Sequence, residues 1–145
     1  MERRIIFYGF LPGNEIAEVM AESDLAVVPK RASSPFGNEA ASTKIMEFMA
    51  LGVPVLASRT KIDTYYHDDS RLQFFESENE KELAEQMRIL ERDTELRERL
   101  VANALLYTQN NNWEEKKREY LGIVDSLACP TKAVPKAEAK RVSLV

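Results

Sequence analysis

The chain has 145 residues, of which 44% are hydrophobic and 30% are charged, and its formal net charge at pH 7 is −4. These values are typical of one soluble globular domain, and the negative charge argues against non-specific binding to nucleic acid. The single cysteine, Cys129, excludes an internal disulfide, no apolar run is long enough to span a membrane, and we therefore expect a cytoplasmic protein.

The first half of the chain alternates short apolar runs with helical patterns. Apolar runs bounded by Gly or Pro predict buried strands, and amphipathic stretches that follow Asn, Ser or Thr predict capped helices. In chain order, we expect a strand over 5–8, a helix over 14–22, a strand over 25–28, a loop over 30–41, a helix capped by Ser42 or Thr43 and ended by Gly52, a strand over 53–57, an irregular segment over 58–71 with a helical turn near Tyr65 and Tyr66, and a strand over 72–75.

The second half of the chain predicts helices. Asn79 and Asp93 are expected helix caps, the first in a capping-box pattern. Three asparagines at 110–112 break the chain before a last helix, which is expected over residues 113–127. Residues 128–145 are rich in Pro, Lys and Ala, and we expect a disordered tail there.

The order of these elements predicts the fold class. Strands that are apolar throughout and alternate with helices indicate an α/β fold over residues 1–127, with a Rossmann-like parallel sheet covered by helices on both faces. Ligands of such sheets bind beyond the carboxyl ends of the strands. The loop that follows residue 28, which contains Glu39, lies at that edge together with the loop that follows residue 57.

The start of the helix after that first loop is a candidate diphosphate site. A helix N-terminus offers free N–H groups and about half a positive charge; Ser42 and Thr43 are small, and Lys44 adds a full charge. Glu47 lies roughly 6–7 Å further along the axis, where its carboxylate can accept hydrogen bonds from a ribose diol, and Glu39 precedes the helix where a sugar would lie. Glutamates with this spacing are also common on solvent-exposed helices, so the spacing alone leaves both interpretations open.

The residues around these two acids form a longer pattern. VVP at 27–29 is followed by FGNE at 36–39 and by TKIMEFMALGVPV at 43–55. This pattern resembles the donor-binding half of GT-B glycosyltransferases, in particular the retaining family 4 (group 1), whose members carry Glu-x7-Glu followed by a helix–strand signature. Glu39 and Glu47 match the two acids. Further matches are Ala50, Gly52 and Pro54 in the signature and Gly9 at the end of the strand that precedes the first helix.

The resemblance covers about residues 3–127 and implies a role for each matching residue. Glu47 would hold the ribose of a nucleotide-sugar donor such as a UDP- or GDP-sugar. Glu39, the candidate catalytic residue, would hold the transferred sugar. The other candidate substrate-binding residues are Ala41, Ser42 and Thr43, whose N–H groups would hold the diphosphate, with Lys44 and Gly9.

The resemblance also implies a metal-independent reaction with retention at the anomeric carbon, and no cofactor beyond the nucleotide-sugar substrate. Asp68 and Asp69 are adjacent in a polar loop, and we expect a solvated turn there rather than metal ligands. The diphosphate charge is then offset by the helix dipole and by local cations, for which Lys30, Arg31 and Lys44 are the candidates.

The upstream part of the family has no counterpart in this chain. That part contains the acceptor-binding domain and the basic pair that clamps the diphosphate. The resemblance therefore implies a C-terminal piece that is inactive alone and needs the N-terminal acceptor domain, which would also bring it near the membrane. An unpaired sheet edge and exposed apolar surface favour self-association.

Three functions agree with these patterns. The leading expectation is the donor-binding part of a glycosyltransferase that transfers a sugar to a glycan or lipid-linked acceptor in cell-surface polysaccharide synthesis. A non-enzymatic interaction module, or a half-enzyme that pairs with a partner chain, is an alternative from another class. A GT-B nucleotide-sugar epimerase fits the pattern with more departures.

Three aromatic side chains outside the central segment have a structural interpretation. His67 is the only histidine and lies in a polar stretch, YYHDD, so we expect it in a surface loop rather than in a catalytic role. Tyr65 and Tyr66 either stack on a sugar or cover the sheet, and we expect them to cover the sheet.

Overall fold

The computed structural model describes residues 5–128, and the chain divides into two compact units, Met1–Asn111 and Asn112–Val145. The second unit contains α7 (Trp113–Ala128). In chain order, the first unit contains α1 (Gly13–Ala21), β1 (Ala26–Val28), α2 (Pro35–Glu39), α3 (Thr43–Ala50), β2 (Val55–Arg59), α4 (Lys61–Tyr66), β3 (Gln73–Glu76), α5 (Glu80–Arg92) and α6 (Thr94–Asn110).

The strands of the first unit form one parallel sheet in the order β1-β2-β3. Ala26 lies opposite Val55, and Leu56 lies opposite Gln73. Helices connect each strand to the next, as parallel pairing requires, because the chain must return to the same end of the sheet. The predicted α/β class with a parallel sheet is confirmed.

Both faces of the sheet are buried. Val55 shares a buried cluster with Ile45 of α3 on one face, and Leu56 shares a second cluster with Leu90 of α5 on the other. Successive side chains of a strand point to opposite faces. Strands covered on both sides therefore carry continuous apolar runs, which explains why the sequence showed runs rather than alternation.

The strand predicted over residues 5–8 is absent from the structure, so this prediction is wrong. Ile5, Ile6, Phe7 and Tyr8 have no regular secondary structure, and even the least exposed of them, Tyr8, is 59% exposed. A strand is stable when its backbone N–H and C=O groups pair with a neighbour, and the sheet of the described residues takes no strand from this segment. The apolar composition of this segment alone was therefore not sufficient to predict a strand.

The loop predicted over 30–41 contains a short helix, α2. Ser34 caps it by accepting a hydrogen bond on its Oγ from the N–H of Gly37 at 2.9 Å, and Pro35 occupies the first helical position. A helix of 5 residues is too short to show helical periodicity in the sequence. Glu39 is accordingly the last residue of a helix rather than a loop residue.

The predicted helix caps at Asn79 and Asp93 are confirmed, whereas α1 begins at Gly13 with Pro12, rather than Asn14, at its N-cap position. Asn79 Oδ1 accepts a hydrogen bond from Glu82 N at 3.2 Å, and Asp93 Oδ1 accepts one from Leu96 N at 2.8 Å. Gly52, which follows α3, has a φ of 73°, a left-handed conformation that favours glycine. These signals are local in sequence, which is why they could be predicted.

The second unit begins at Asn112, the last residue of the predicted asparagine break. Asn112 Oδ1 accepts a hydrogen bond from Glu115 N at 3.0 Å at the start of α7. Of the predicted tail, residues 128–145, only Ala128 falls within the described residues, where it ends α7. Across residues 5–128, no helix combines the length and the apolar composition that crossing a bilayer requires.

Candidate functional site

A groove of about 450 Å³ opens where β1 ends, between the segment that follows this strand and the start of α3. Parallel sheets bind ligands at this edge, because the helix N-termini that follow the strands converge there. The wall of the groove includes Lys30, Arg31, Phe36, Ser42, Thr43 and Lys44.

The start of α3 forms one side of the groove. Ile45 and Met49 are fully buried and fix α3 against the sheet, whereas Thr43 and Lys44 are exposed. Ser42 occupies the N-cap position, but its side chain makes no capping hydrogen bond. The first-turn N–H groups of α3 are therefore left uncapped by this side chain, at the positive end of the helix dipole.

Neither of the two predicted acids is in the groove wall. Glu39 Oε1 is 3.1 Å from the Nζ atom of Lys61, and these side chains are 55% and 72% exposed. An exposed ion pair of this kind contributes little to stability, so a ligand can replace it. Glu47 is exposed on the second turn of α3, four residues after Thr43 and therefore on the same helix face.

The predicted site residues thus fall into two groups. The groove wall brings together Ala41, Ser42, Thr43 and Lys44. Gly9 is outside this wall, in the irregular segment before α1, and a Cβ atom at this position would meet nothing within 4 Å. The surroundings of Gly9 therefore give no steric reason for a glycine.

A buried ion pair at the groove wall was not found from the sequence. Lys30 Nζ donates hydrogen bonds to Asp63 Oδ2 at 2.8 Å and to Ala40 O at 2.7 Å. Asp63 is only 2% exposed and also accepts a hydrogen bond from Thr60 Oγ1 at 2.6 Å. The spacing of Thr60 and Asp63 is the signal of a helix cap, but nothing in the sequence joins it to a lysine 33 positions earlier.

Two serine hydroxyls fix the backbone that carries Lys30. Ser58 Oγ accepts a hydrogen bond from Lys30 N at 2.8 Å. Ser77 Oγ donates to Lys30 O and accepts from Ala32 N, both at 2.8 Å. Because Ser58 lies in β2 and Ser77 follows β3, the segment after β1 is tied to the ends of both neighbouring strands.

Gly37 allows α2 to approach the same segment closely. A Cβ atom at Gly37 would lie 2.1 Å from Arg31 O, a separation that real side chains do not reach. Only glycine therefore fits this position without a backbone shift. The neighbouring Phe36 is 83% exposed at the groove, where its aromatic face is open to a ligand.

His67 is buried, with 7% exposure, so the prediction of a surface loop is wrong for this residue. Its ring packs edge-on against Tyr107 at a centroid distance of 5.5 Å. Among the described residues, its Nδ1 atom has no hydrogen-bond partner. Burial lowers the pKa of His67 below its usual value, and the nearby charge of Arg71 lowers it further, against the opposite effects of Asp63 and Asp68.

The side chains on either side of His67 are exposed. Tyr65 is 79% exposed, so it does not cover the sheet as predicted, and Tyr66 is 49% exposed. Asp68 and Asp69 form exposed ion pairs with Arg71 and Arg59, respectively. The polar sequence therefore predicted the exposure of Asp68 and Asp69 correctly, whereas the predictions for His67 and for Tyr65 are wrong.

The family of the chain follows from a match over most of its length. The sequence profile of the family described as "Glycosyl transferases group 1" matches residues 1–106. The chain belongs to this family. The resemblance inferred from the pattern around Glu39 and Glu47 is confirmed.

The fold of this group 1 chain is also found in a solved structure. It is the C-terminal domain of a glycosyl transferase group 1 family protein (LpcC) from Francisella tularensis, with a TM-score of 0.54 at 21% identity. The match covers 82% of this chain and 55% of that one, so the group 1 chain spans about half the length of the solved domain. No curated protein sequence matches the chain.

Proposed function

We propose that this group 1 chain binds the nucleotide-sugar donor of a retaining glycosyltransferase in the groove at the start of α3. The observation that supports the proposal most strongly is the helix start itself. Ser42, Thr43 and Lys44 line the groove where β1 ends, and Ser42 makes no capping hydrogen bond with its side chain. A diphosphate placed there meets N–H donors, the helix dipole and a full positive charge.

The donor's diphosphate accepts hydrogen bonds from the N–H groups of Ala41, Ser42 and Thr43. Lys44 adds charge from the exposed first turn of α3. In this proposal no resident metal is needed, because preorganised donors and cations offset the negative charge of the leaving diphosphate. Gly9 belongs to the proposed site by the family pattern alone.

The two acids, Glu39 and Glu47, bind the remaining parts of the donor. Glu47 accepts hydrogen bonds from the ribose hydroxyls, since it follows Thr43 by one turn on the same face of α3. Glu39 exchanges its exposed partner Lys61 for hydroxyls of the transferred sugar. Hydrogen bonds to a carboxylate belong to the stronger class, so each acid contributes affinity as well as orientation.

The proposed reaction is transfer of that sugar to a glycan or lipid-linked acceptor in cell-surface polysaccharide synthesis, at the cytoplasmic side. Transfer requires an acceptor held in line with the donor in a closed cleft. We assign the acceptor to a further domain or partner chain. This chain alone is therefore expected to bind donor without catalysing transfer.

Isothermal titration calorimetry of UDP and of GDP against the chain tests the proposal. We expect the wild-type chain to bind at least one of the two. Glu47→Gln should weaken that binding by about tenfold, because a neutral amide replaces the charged acceptor of the ribose hydrogen bonds. Glu85→Gln, which neutralises an exposed carboxylate on α5, is the matched control and should leave the affinity unchanged.

Two results would contradict the proposal at different levels. Equal affinities for the wild type and Glu47→Gln would remove Glu47 from the site while leaving the groove as a nucleotide site. Failure of the wild-type chain to bind either nucleotide would reject the donor site and favour the non-enzymatic interaction module.

A further inference from the structure

The ammonium group of Lys30 has more hydrogen-bonding capacity than its protein partners use. A lysine ammonium has three N–H donors. Two of them are directed at Asp63 Oδ2 and at Ala40 O. The side chain is 13% exposed and lies in the groove wall, so within the described residues the third donor is the one left for a ligand.

The position of this ammonium is set by Asp63. The Asp63 carboxylate is almost fully buried, and Thr60 Oγ1 fixes its Oδ2 atom at 2.6 Å. A buried carboxylate held in this way restricts a flexible lysine to one geometry, because moving the ammonium away would leave a buried charge unpaired. The same ammonium binds Ala40 O, two residues before the N-cap of α3, and so joins the helix start to β1.

We propose that Asp63 is a positioning residue of the donor site, which holds the Lys30 ammonium so that its third N–H donates to the donor's diphosphate. The inference rests on the proposed function, since it assumes a diphosphate at the start of α3. Asp63 touches no ligand in this account and acts through Lys30. Thr60 supports Asp63 in turn.

A purely structural or electrostatic role for Asp63 makes a different prediction. If the Asp63 carboxylate only screened the positive charge of Lys30, it would weaken anion binding in the wild-type chain. Its removal would then strengthen diphosphate binding. If Asp63 only stabilised the fold, its replacement would weaken the binding of all nucleotides equally. Positioning predicts a selective loss for the diphosphate despite the added positive charge.

The test compares nucleoside diphosphate with nucleoside monophosphate affinity by calorimetry, using UDP with UMP and GDP with GMP. We expect Lys30→Met and Asp63→Asn each to reduce the preference for diphosphate over monophosphate by about tenfold, the loss of one hydrogen bond to a charged group. Asp68→Asn, which neutralises an exposed carboxylate outside the groove, should leave the preference unchanged.

A double variant keeps the inference testable if Asp63→Asn does not fold. Lys30→Met with Asp63→Leu removes both buried charges together, an exchange that proteins commonly tolerate, and it should show the same loss of preference. An unchanged or increased preference in a folded variant would overturn the role of Asp63 while leaving the donor site intact. A wild-type chain that binds neither diphosphate would overturn both the inference and the proposed function.

Discussion

Because His67 is buried, its protonation affects the stability of the chain, although the polar sequence around it predicts a surface position. Its ring lies against Tyr107 of α6, and the charged groups that act on it are Arg71, Asp63 and Asp68. Burial and Arg71 outweigh the two carboxylates, so the folded-state pKa of His67 is lower than that of an unfolded histidine. The imidazole is therefore neutral in the folded chain near neutral pH.

The lowered pKa predicts that the chain becomes less stable as the pH falls from about 7.5 to about 5.5. An unfolded histidine has a pKa of about 6.5 and takes up a proton in this range, whereas folded His67 resists protonation until the pH is lower. The unfolded state then binds more protons, so the free energy of unfolding decreases with decreasing pH. Urea denaturation at the two pH values measures this change.

His67→Phe is the matched variant for this measurement. Phenylalanine preserves an aromatic ring against Tyr107 but cannot bind a proton. Because His67 is the only histidine, the variant should lose most of the pH dependence above about pH 5.5. Identical pH dependence in the two proteins would show that His67 is not responsible.

Among the secondary-structure elements, α6 is stabilised at its start by a capping hydrogen bond to its own N-cap side chain, Asp93. Asp93→Ala should lower the free energy of unfolding by about 1 kcal/mol, because the N–H of Leu96 loses its side-chain acceptor at the start of α6. Asp93→Asn retains an acceptor at the same position and should cost much less. Denaturant titration of the three proteins checks this order, and equal losses in both variants would contradict a capping role.

Elements with local signals were predicted from the sequence, and those that depend on distant partners were not. The caps at Asn79 and Asp93 and the break after α3 at Gly52 depend on residues within one turn, which explains their success. The segment over 5–8 failed because a strand needs a neighbour that sequence periodicity does not describe. α2 was missed because it is shorter than two helical turns.

The candidate site divides in the same way. The helix start with Thr43 and Lys44 was predicted from local pattern alone. The pairing of Lys30 with Asp63 was not, because it joins the end of β1 to α4 across 33 positions of sequence. Burial of the carboxylate, which gives this pair its importance, is a property of the folded chain only.

On the scale of the whole sheet, the order of the strands determines where the elements of the proposed site lie. The parallel order β1-β2-β3 brings the end of β1, the start of α3 and the start of α4 to one edge. Ser58 and Ser77 then tie the segment after β1 to the neighbouring strands. The groove is therefore built by elements that the core already fixes, which favours a ligand site that is formed before the ligand binds.

The proposed function depends on the binding of a nucleotide-sugar donor by the group 1 chain at the start of α3. Amide NMR titration of the full chain with UDP and with GDP tests it most directly, since each backbone N–H reports its own surroundings. We expect the largest chemical-shift changes at the backbone amides of Ala41, Ser42, Thr43, Lys44 and Glu47. The absence of any change, or largest changes around the separate groove beside Asn103 and Tyr107, would contradict it.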